Sequence, residues 1–249
     1  MCIRDSWCVY SDGRVAHTFN QDAATNRIVR GYTPRQLPCR HRGQIRRPVG
    51  EAMEASTTFS GSKDHVGDPV RLGIVTVSDR ASRGEYQDEG GPAILGFFEA
   101  AIKSPWTALY RCVPDERKAV EAALIGLVDE EGCHVVVTTG GTGPAPRDIT
   151  PEATEAVCDR MMPGFGEQMR SISLAFVPTA ILSRQVGGLR GESLLFNLPG
   201  RPKAIRETID EIWKAVPYCV DLMNGPYMDM NPVICDAFRP KNARRPPFE

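Results

Sequence analysis

The chain has 249 residues, 41% of them hydrophobic and 24% charged, with a formal net charge of −1. That is the balance of a globular protein long enough to bury a core, and it gives no reason to expect a nucleic-acid or membrane partner. No apolar run approaches the roughly 18 residues of a membrane-spanning helix, and the eight cysteines form no CxxC pair and follow no secretory signal, so buried thiols in a reducing cytoplasm are expected rather than disulfides or zinc.

The charge is uneven. Residues 1–50 hold nine Arg and three Asp with no Lys or Glu, a balance of +6, so the remainder carries −7. Residues 1–69 are rich in Arg, Ser, Thr, Gly and Pro and poor in periodic apolar positions. Their opening MCIRDS resembles the translation of a transposon-end sequence used in preparing sequencing libraries. The segment is therefore expected to be disordered or artefactual. A basic regulatory arm is the competing reading, without motif, stacking pattern or helical period to support it. His17, His41 and His65 lie here and are assigned no chemistry.

From Val70 the pattern changes. The run 70-VRLGIVTVSD-79 has the β-branched density of a central strand, and 91-GPAILGFFEAAI-102 has helical spacing. A second strand over 107–113 and an amphipathic helix over 116–131 follow, then a third strand, 134-HVVVT-138. Residues 164–176 read as helix, 193–198 as a fourth strand and 203–215 as a further helix, with a frayed tail over 239–249. Alternating strands and helices predict an α/β fold, with helices on a mainly parallel central sheet joined by right-handed crossovers.

In such sheets ligands bind beyond the carboxyl ends of the strands. Those ends here are 78-SDRASRGEYQD-88, 113-VPDE-116, 139-TGGTGPAPRD-148 and 197-NLPGRPK-203. Gly140, Gly141 and Gly143 permit positive φ and close approach, so successive N–H groups can face an anion, and Thr142 adds a hydroxyl. Neither GxxxxGK[ST] nor GxGxxG is present, and a plain strand-to-helix turn is the bland alternative. Thr150 followed by Pro151 reads as an N-cap and first helical residue. Asp148 is either a second group at that cap or a Mg²⁺ ligand facing phosphates. Asp115 is either the cap of the helix beginning near Glu116 or a second rim carboxylate for nucleotidyl transfer. Ser78, Asp79, Arg80 and Ser82 are polar groups at the first strand's end, and Arg170, Arg184, Arg201 and Lys203 are candidate phosphate partners. His134 and Cys133 read as structural.

Together 75-VTVSDRAS-82, 114-PDE-116, 138-TTGGTGPAPRDITPEAT-154, 163-PGFGEQMR-170, 178-PTAILSRQVGG-188 and 197-NLPGRPKA-204 closely resemble the MogA family of molybdopterin adenylyltransferases, related to the plant molybdenum-cofactor enzyme and the gephyrin G domain. The resemblance spans residues 70–245, and the arm before Val70 has no counterpart in single-domain members. It implies a three-layer α/β/α domain, a homotrimer, and adenylylation of molybdopterin by ATP with Mg²⁺ in the cytoplasm. Hand-over of the product to a molybdenum-inserting enzyme is implied as well. On this resemblance Asp115 and Asp148 are the essential aspartates, Asp148 the metal ligand, and Gly140, Gly141, Thr142 and Gly143 the phosphate loop. Ser78, Asp79, Arg80, Ser183, Arg184, Pro199 and Gly200 form the surrounding wall. A MoaB-like or scaffold-type module that binds molybdopterin without efficient turnover is the alternative.

Overall fold

The computed structural model describes residues 8–9, 15–16, 57–61 and 68–243, in two compact units that divide between Val49 and Gly50. In the first unit β1 (Cys8–Val9) pairs antiparallel with β2 (Val15–Ala16). The opening hexapeptide, His17, His41, His65 and residues 244–249 lie outside the described residues.

The second unit is built on a seven-stranded sheet of β3 (Thr57–Gly61), β4 (Val70–Val77), β5 (Trp106–Val113), β6 (Val135–Thr139), β7 (Arg160–Met161), β8 (Gly187–Arg190) and β9 (Ser193–Leu198). Their spatial order is β3-β5-β4-β6-β9-β8-β7. The four strands foreseen in the sequence, β5, β4, β6 and β9, run parallel at the centre. Three antiparallel strands not foreseen complete the sheet, β3 against β5 and the β8–β7 pair beyond β9. One of them, β3, comes from the segment before Val70 that was expected to lie outside the fold.

Period-two alternation sorts each central strand between two cores. β4 directs Leu72 and Ile74 to one face and Val75 and Val77 to the other, and β6 likewise splits Val135 and Val137 from Val136. The larger core lies under α2 (Gly90–Ala101), α5 (Pro163–Leu174), α6 (Pro202–Trp213) and α7 (Val216–Leu222). At its centre Trp213 packs on Phe98 and Phe97, with ring centroids 5.0 and 5.5 Å away. The smaller core lies under α3 (Arg117–Ile125) and α4 (Thr150–Val157). The result is the three-layer α/β/α arrangement. Each large apolar side chain so buried contributes roughly 1.5–3 kcal/mol.

Three local expectations change. The helix foreseen over 116–131 is regular only to Ile125 and then widens into a π-turn, Gly126–Glu130. The Arg111 guanidinium lies against Gly126, where a Cβ would stand 2.6 Å from Nη1, and that nitrogen donates to the Ala123 carbonyl at 3.2 Å. A side chain inserted into the helical ladder is a recognised cause of such a turn. The tail is also not frayed at Arg239, whose guanidinium pairs with Asp221, donates to the Met228 carbonyl at 3.1 Å and covers the Tyr227 ring at 4.1 Å. Finally, α4 begins at Thr150, with Ile149 flanking it, so Thr150 is the first helical residue and not the cap.

The crossover from β4 places β5 on one side of it, and the next crossover, from β5, places β6 on the other. The loops leaving β4 and β6 therefore diverge, and a cleft opens between them.

Candidate active site

The loop after β6 is shaped by two successive left-handed residues, Gly140 at φ +97° and Gly141 at φ +62°. A Cβ on Gly140 would stand closer than 3.0 Å to the Val77 carbonyl oxygen, so β4 and the loop can meet only at a glycine. All four carbonyls of the loop are occupied. Gly140 accepts from the Thr150 hydroxyl at 2.8 Å and Gly141 from the Thr150 N–H at 3.1 Å. Thr142 accepts from the Arg184 N–H at 2.9 Å, and Gly143 from Arg184 Nε at 2.8 Å. Thr150, buried on all sides, thus spends its hydroxyl as a donor to the loop and not as a helix cap. The Gly140 N–H belongs to the β6–β9 ladder, facing the Leu198 carbonyl, but no N–H of Gly141, Thr142 or Gly143 donates to the protein among the described hydrogen bonds. A run of such N–H groups is a concave anion site.

Both aspartates singled out in the sequence flank this loop. Asp115 Oδ1 lies 3.4 Å from where a Cβ of Gly141 would stand, and Asp148 Oδ2 lies 2.8 Å from that point on Gly143. Neither caps a helix. Asp115 Oδ2 accepts from the Asp79 N–H at 2.7 Å, while Asp79 Oδ1 accepts from the Asp115 N–H at 3.1 Å. This reciprocal clamp ties the ends of β4 and β5 together. Asp148 Oδ2 accepts from the Ala145 N–H at 2.9 Å and closes its own turn. These bonds leave Oδ1 of both carboxylates outside the clamp and the turn.

The cleft has a volume of about 410 Å³. Ser78, Asp79, Arg80, Asp115, Gly140 and Gly200 line it, while Gly141, Thr142, Gly143 and Asp148 continue the loop outside that lining. Ser78 Oγ caps the single helical turn α1 (Asp79–Ser82), accepting from Ala81 N–H at 3.3 Å. Pro199 accepts from the Thr139 hydroxyl at 2.8 Å, and a Cβ on Gly200 would lie 3.3 Å from the Gly140 Cα, which seats the turn before α6 against the loop. Ser183 donates to Gln185 at 2.7 Å. Arg184 also bonds the Asp148 carbonyl and Glu152, so it braces the loop. Arg170 is similarly engaged by the Ser183 and Gln185 carbonyls. His134 accepts the Arg71 N–H on Nδ1 at 3.0 Å, a structural role, and burial holds its pKa below the usual value.

Several residues of the site were not singled out. Asp88 lines the cleft and accepts from the N–H groups of Gly90 and Gly91 and from the hydroxyls of Thr76 and Tyr110, each at 2.9 Å. The signal was present, since an Asp two residues before Gly-Gly at a helix start is a capping pattern. Asn197, wholly buried, donates to the hydroxyls of Thr138 and Thr154 at 2.9 Å and accepts the Val186 N–H at 3.2 Å. It fixes the strand from which the Pro199–Gly200 turn departs. Arg147 reaches across to Asp79, Nη2 to Oδ2, at 2.6 Å. Burial pushes the Asp79 carboxyl up, but the Arg147 guanidinium and the Asp115 N–H outweigh it and hold the group below the usual carboxylate value.

Carboxylates, hydroxyls and main-chain groups thus line the candidate site, and comparisons with known proteins identify the family. Residues 73–218 match the family described as a probable molybdopterin binding domain. The chain is 56% identical over 192 residues to a molybdopterin adenylyltransferase of Haemophilus influenzae, covering 72% of this chain and 98% of that protein. A Helicobacter pylori molybdopterin adenylyltransferase is 54% identical over 172 residues, covering 69% and 98%. Among solved structures, the Thermus thermophilus molybdopterin biosynthesis enzyme MoaB is 42% identical, with a TM-score of 0.58 over 64% of this chain and 99% of that one. The Mog protein of Mycobacterium ulcerans is 36% identical with a TM-score of 0.56, over 61% and 98%. By matched length, identity and fold, the chain belongs to the molybdopterin-binding family that includes the bacterial molybdopterin adenylyltransferases.

Proposed function

We propose that this chain transfers the adenylyl group of ATP to molybdopterin, releasing pyrophosphate, as a step of molybdenum cofactor biosynthesis. The observation that carries the reading is the glycine loop, whose four carbonyls are all bonded while the N–H groups of Gly141, Thr142 and Gly143 remain for an anion, between two aspartates. In the reaction an oxygen of molybdopterin's terminal phosphate attacks the α-phosphorus of ATP. The bond from that phosphorus to the bridging oxygen breaks, and its electron pair leaves with pyrophosphate. The loop N–H groups hold the attacking phosphate and spread its charge, and the clamp between Asp79 and Asp115 fixes the rim beside it. Positioning of this kind supplies much of the rate in phosphoryl and nucleotidyl transfer.

Magnesium fits the donor set. Carboxylate oxygens are the hard ligands it prefers, and one or two of them with substrate oxygens are enough. Asp148, with Asp115, would hold the ion through the oxygens left outside the loop's own hydrogen bonds. When bound, it would neutralise polyphosphate charge. The homotrimer implied by the resemblance is supported by an exposed apolar stretch, Leu174, Phe176, Val177, Ile181 and Leu182, with Phe176 56% and Ile181 71% accessible. The cytoplasm is the compartment in which Cys112, Cys133, Cys158, Cys219 and Cys235, all free thiols, would stay reduced. The adenylylated product would then pass to a molybdenum-inserting enzyme.

The test is pyrophosphate release on incubation with ATP, Mg²⁺ and molybdopterin. Wild type should release it, and Asp115→Asn and Asp148→Asn should each lose most of the activity. Tight molybdopterin binding without release would overturn the enzymatic reading. Full activity in Asp148→Asn would overturn that residue's role.

A further inference from the structure

Most arginines near the cleft are committed to the protein itself. Arg184 holds the Gly143 and Asp148 carbonyls and Glu152, Arg170 holds two carbonyls, and Arg83 pairs with Glu85 at 2.6 Å. Arg147 differs in its partner, because Asp79 is itself a cleft-lining carboxylate. The Arg147 side chain is 61% exposed against 23% for Asp79, so the pair sits at the rim.

The turn carrying Arg147 is well defined. Asp148 N–H donates to the Ala145 carbonyl at 2.9 Å, and the Ala145 N–H donates to Asp148 Oδ2 at 2.9 Å. Arg147 stands inside that closed turn, four residues beyond the N–H groups of Gly141, Thr142 and Gly143 that the protein leaves without an acceptor among the described hydrogen bonds. On the other side Asp79 divides its oxygens, Oδ1 to the Asp115 N–H and Oδ2 to Arg147. An exchange of partner at Oδ2 would therefore leave the Asp79–Asp115 clamp intact.

A polyphosphate entering this cleft meets Asp79 and Asp115 as like charges. The guanidinium beside Asp79 offers planar paired N–H donors that suit phosphate oxygens, and exposed ion pairs are held loosely. We propose that Arg147 is a substrate-positioning residue for the nucleotide's β- and γ-phosphates, held by Asp79 before the nucleotide arrives and transferred to the polyphosphate when ATP binds. This rests on the adenylyl-transfer reading and names the protein group that receives the pyrophosphate half of ATP. Asp79 becomes the resting partner of that arginine, and its competition with the polyphosphate sets how tightly the nucleotide is held.

The experiment is calorimetric titration of the full chain with inorganic tripolyphosphate and with Mg-ATP, beside steady-state kinetics. Arg147→Ala should weaken both ligands about tenfold, the loss expected for a charge-assisted hydrogen-bonded contact, while molybdopterin affinity stays within about twofold. Arg147→Lys should recover part of the loss, and the KM for ATP should rise more than kcat falls. Asp79→Asn should tighten tripolyphosphate binding, and that gain should vanish when Arg147→Ala is added. Unchanged tripolyphosphate affinity in Arg147→Ala would overturn the proposal, as would equal losses for tripolyphosphate and molybdopterin. Wild type that binds tripolyphosphate through Arg147 yet releases no pyrophosphate would sink the adenylyl-transfer reading and leave the role of Arg147 standing.

Discussion

Alanine at position 140 would have to stand at φ +97°, with its methyl group closer than 3.0 Å to the Val77 carbonyl oxygen. The left-handed backbone alone costs an L residue roughly 1–2 kcal/mol. The contact adds a cost of the overpacking kind, about 1–3 kcal/mol, because the neighbour is backbone in a central strand and cannot rotate away. Gly140→Ala should therefore lose about 2–5 kcal/mol, a large share of the roughly 5–15 kcal/mol that holds a domain folded. Two other glycines calibrate the measurement. Gly84 has φ +70° with nothing within 4 Å of a Cβ, so Gly84→Ala should show the backbone cost alone. Gly96 lies exposed within α2 with open space around it, so Gly96→Ala should stabilise by about 0.5–1 kcal/mol. Urea unfolding followed by circular dichroism, with the slope checked for constancy, gives all three. A Gly140→Ala protein no less stable than Gly84→Ala would refute the reasoning that the loop and β4 touch at a position only glycine can fill.

Asn197→Ala should cost about 2–4 kcal/mol, because it strands the Thr138 hydroxyl and the Val186 N–H and leaves the Thr154 hydroxyl only its bond to the Thr150 carbonyl; a loss below ~1 kcal/mol in urea unfolding would mean the network relaxes onto other partners. Stability should fall with acidification in two stages. His134 has its pKa lowered by burial and by Arg71, so its contribution is full above the ordinary value near 6.5 and is lost as pH falls below it. Asp129, held down by Arg190, and Asp79 and Glu152, held down by Arg147 and Arg184 against burial, contribute above the ordinary carboxylate range near 4 and lose it below. Urea midpoints from pH 8 to 3 would show this, and Arg190→Gln should flatten the lower stage; a midpoint that rises on acidification would contradict both signs.

The four parallel strands were legible because a strand covered on both faces needs an almost unbroken β-branched run, as in β4 and β6. The antiparallel additions were not. β7 is two residues long and β8 begins Gly-Gly, so neither carries a period, and β3 is a short polar stretch whose partner lies far along the chain. At the site, the glycine loop and Asp115 were readable from composition at a strand end. The work of the arginines was not, because Arg184 and Arg147 act through contacts 41 and 68 residues distant in sequence, to Gly143 and Asp79. Spacing shows that a guanidinium is near a loop in the chain; it does not show whether a carbonyl or a ligand will use it. Thr150 illustrates the same limit, since a Thr before Pro reads as a cap and the fold uses its hydroxyl on Gly140 instead.

The strand β3 has a consequence for handling the protein. It occupies the outer hydrogen-bonding edge of β5 from Trp106 to Tyr110, on the border of the sheet beside the central strands. A shorter chain begun at Val70 would keep the cleft residues and leave that edge bare. Its N–H and C=O groups would then form a ready template for another chain, and self-association by edge pairing would follow. The few residues of β3 thus act as a guard against aggregation, at a distance from any chemistry.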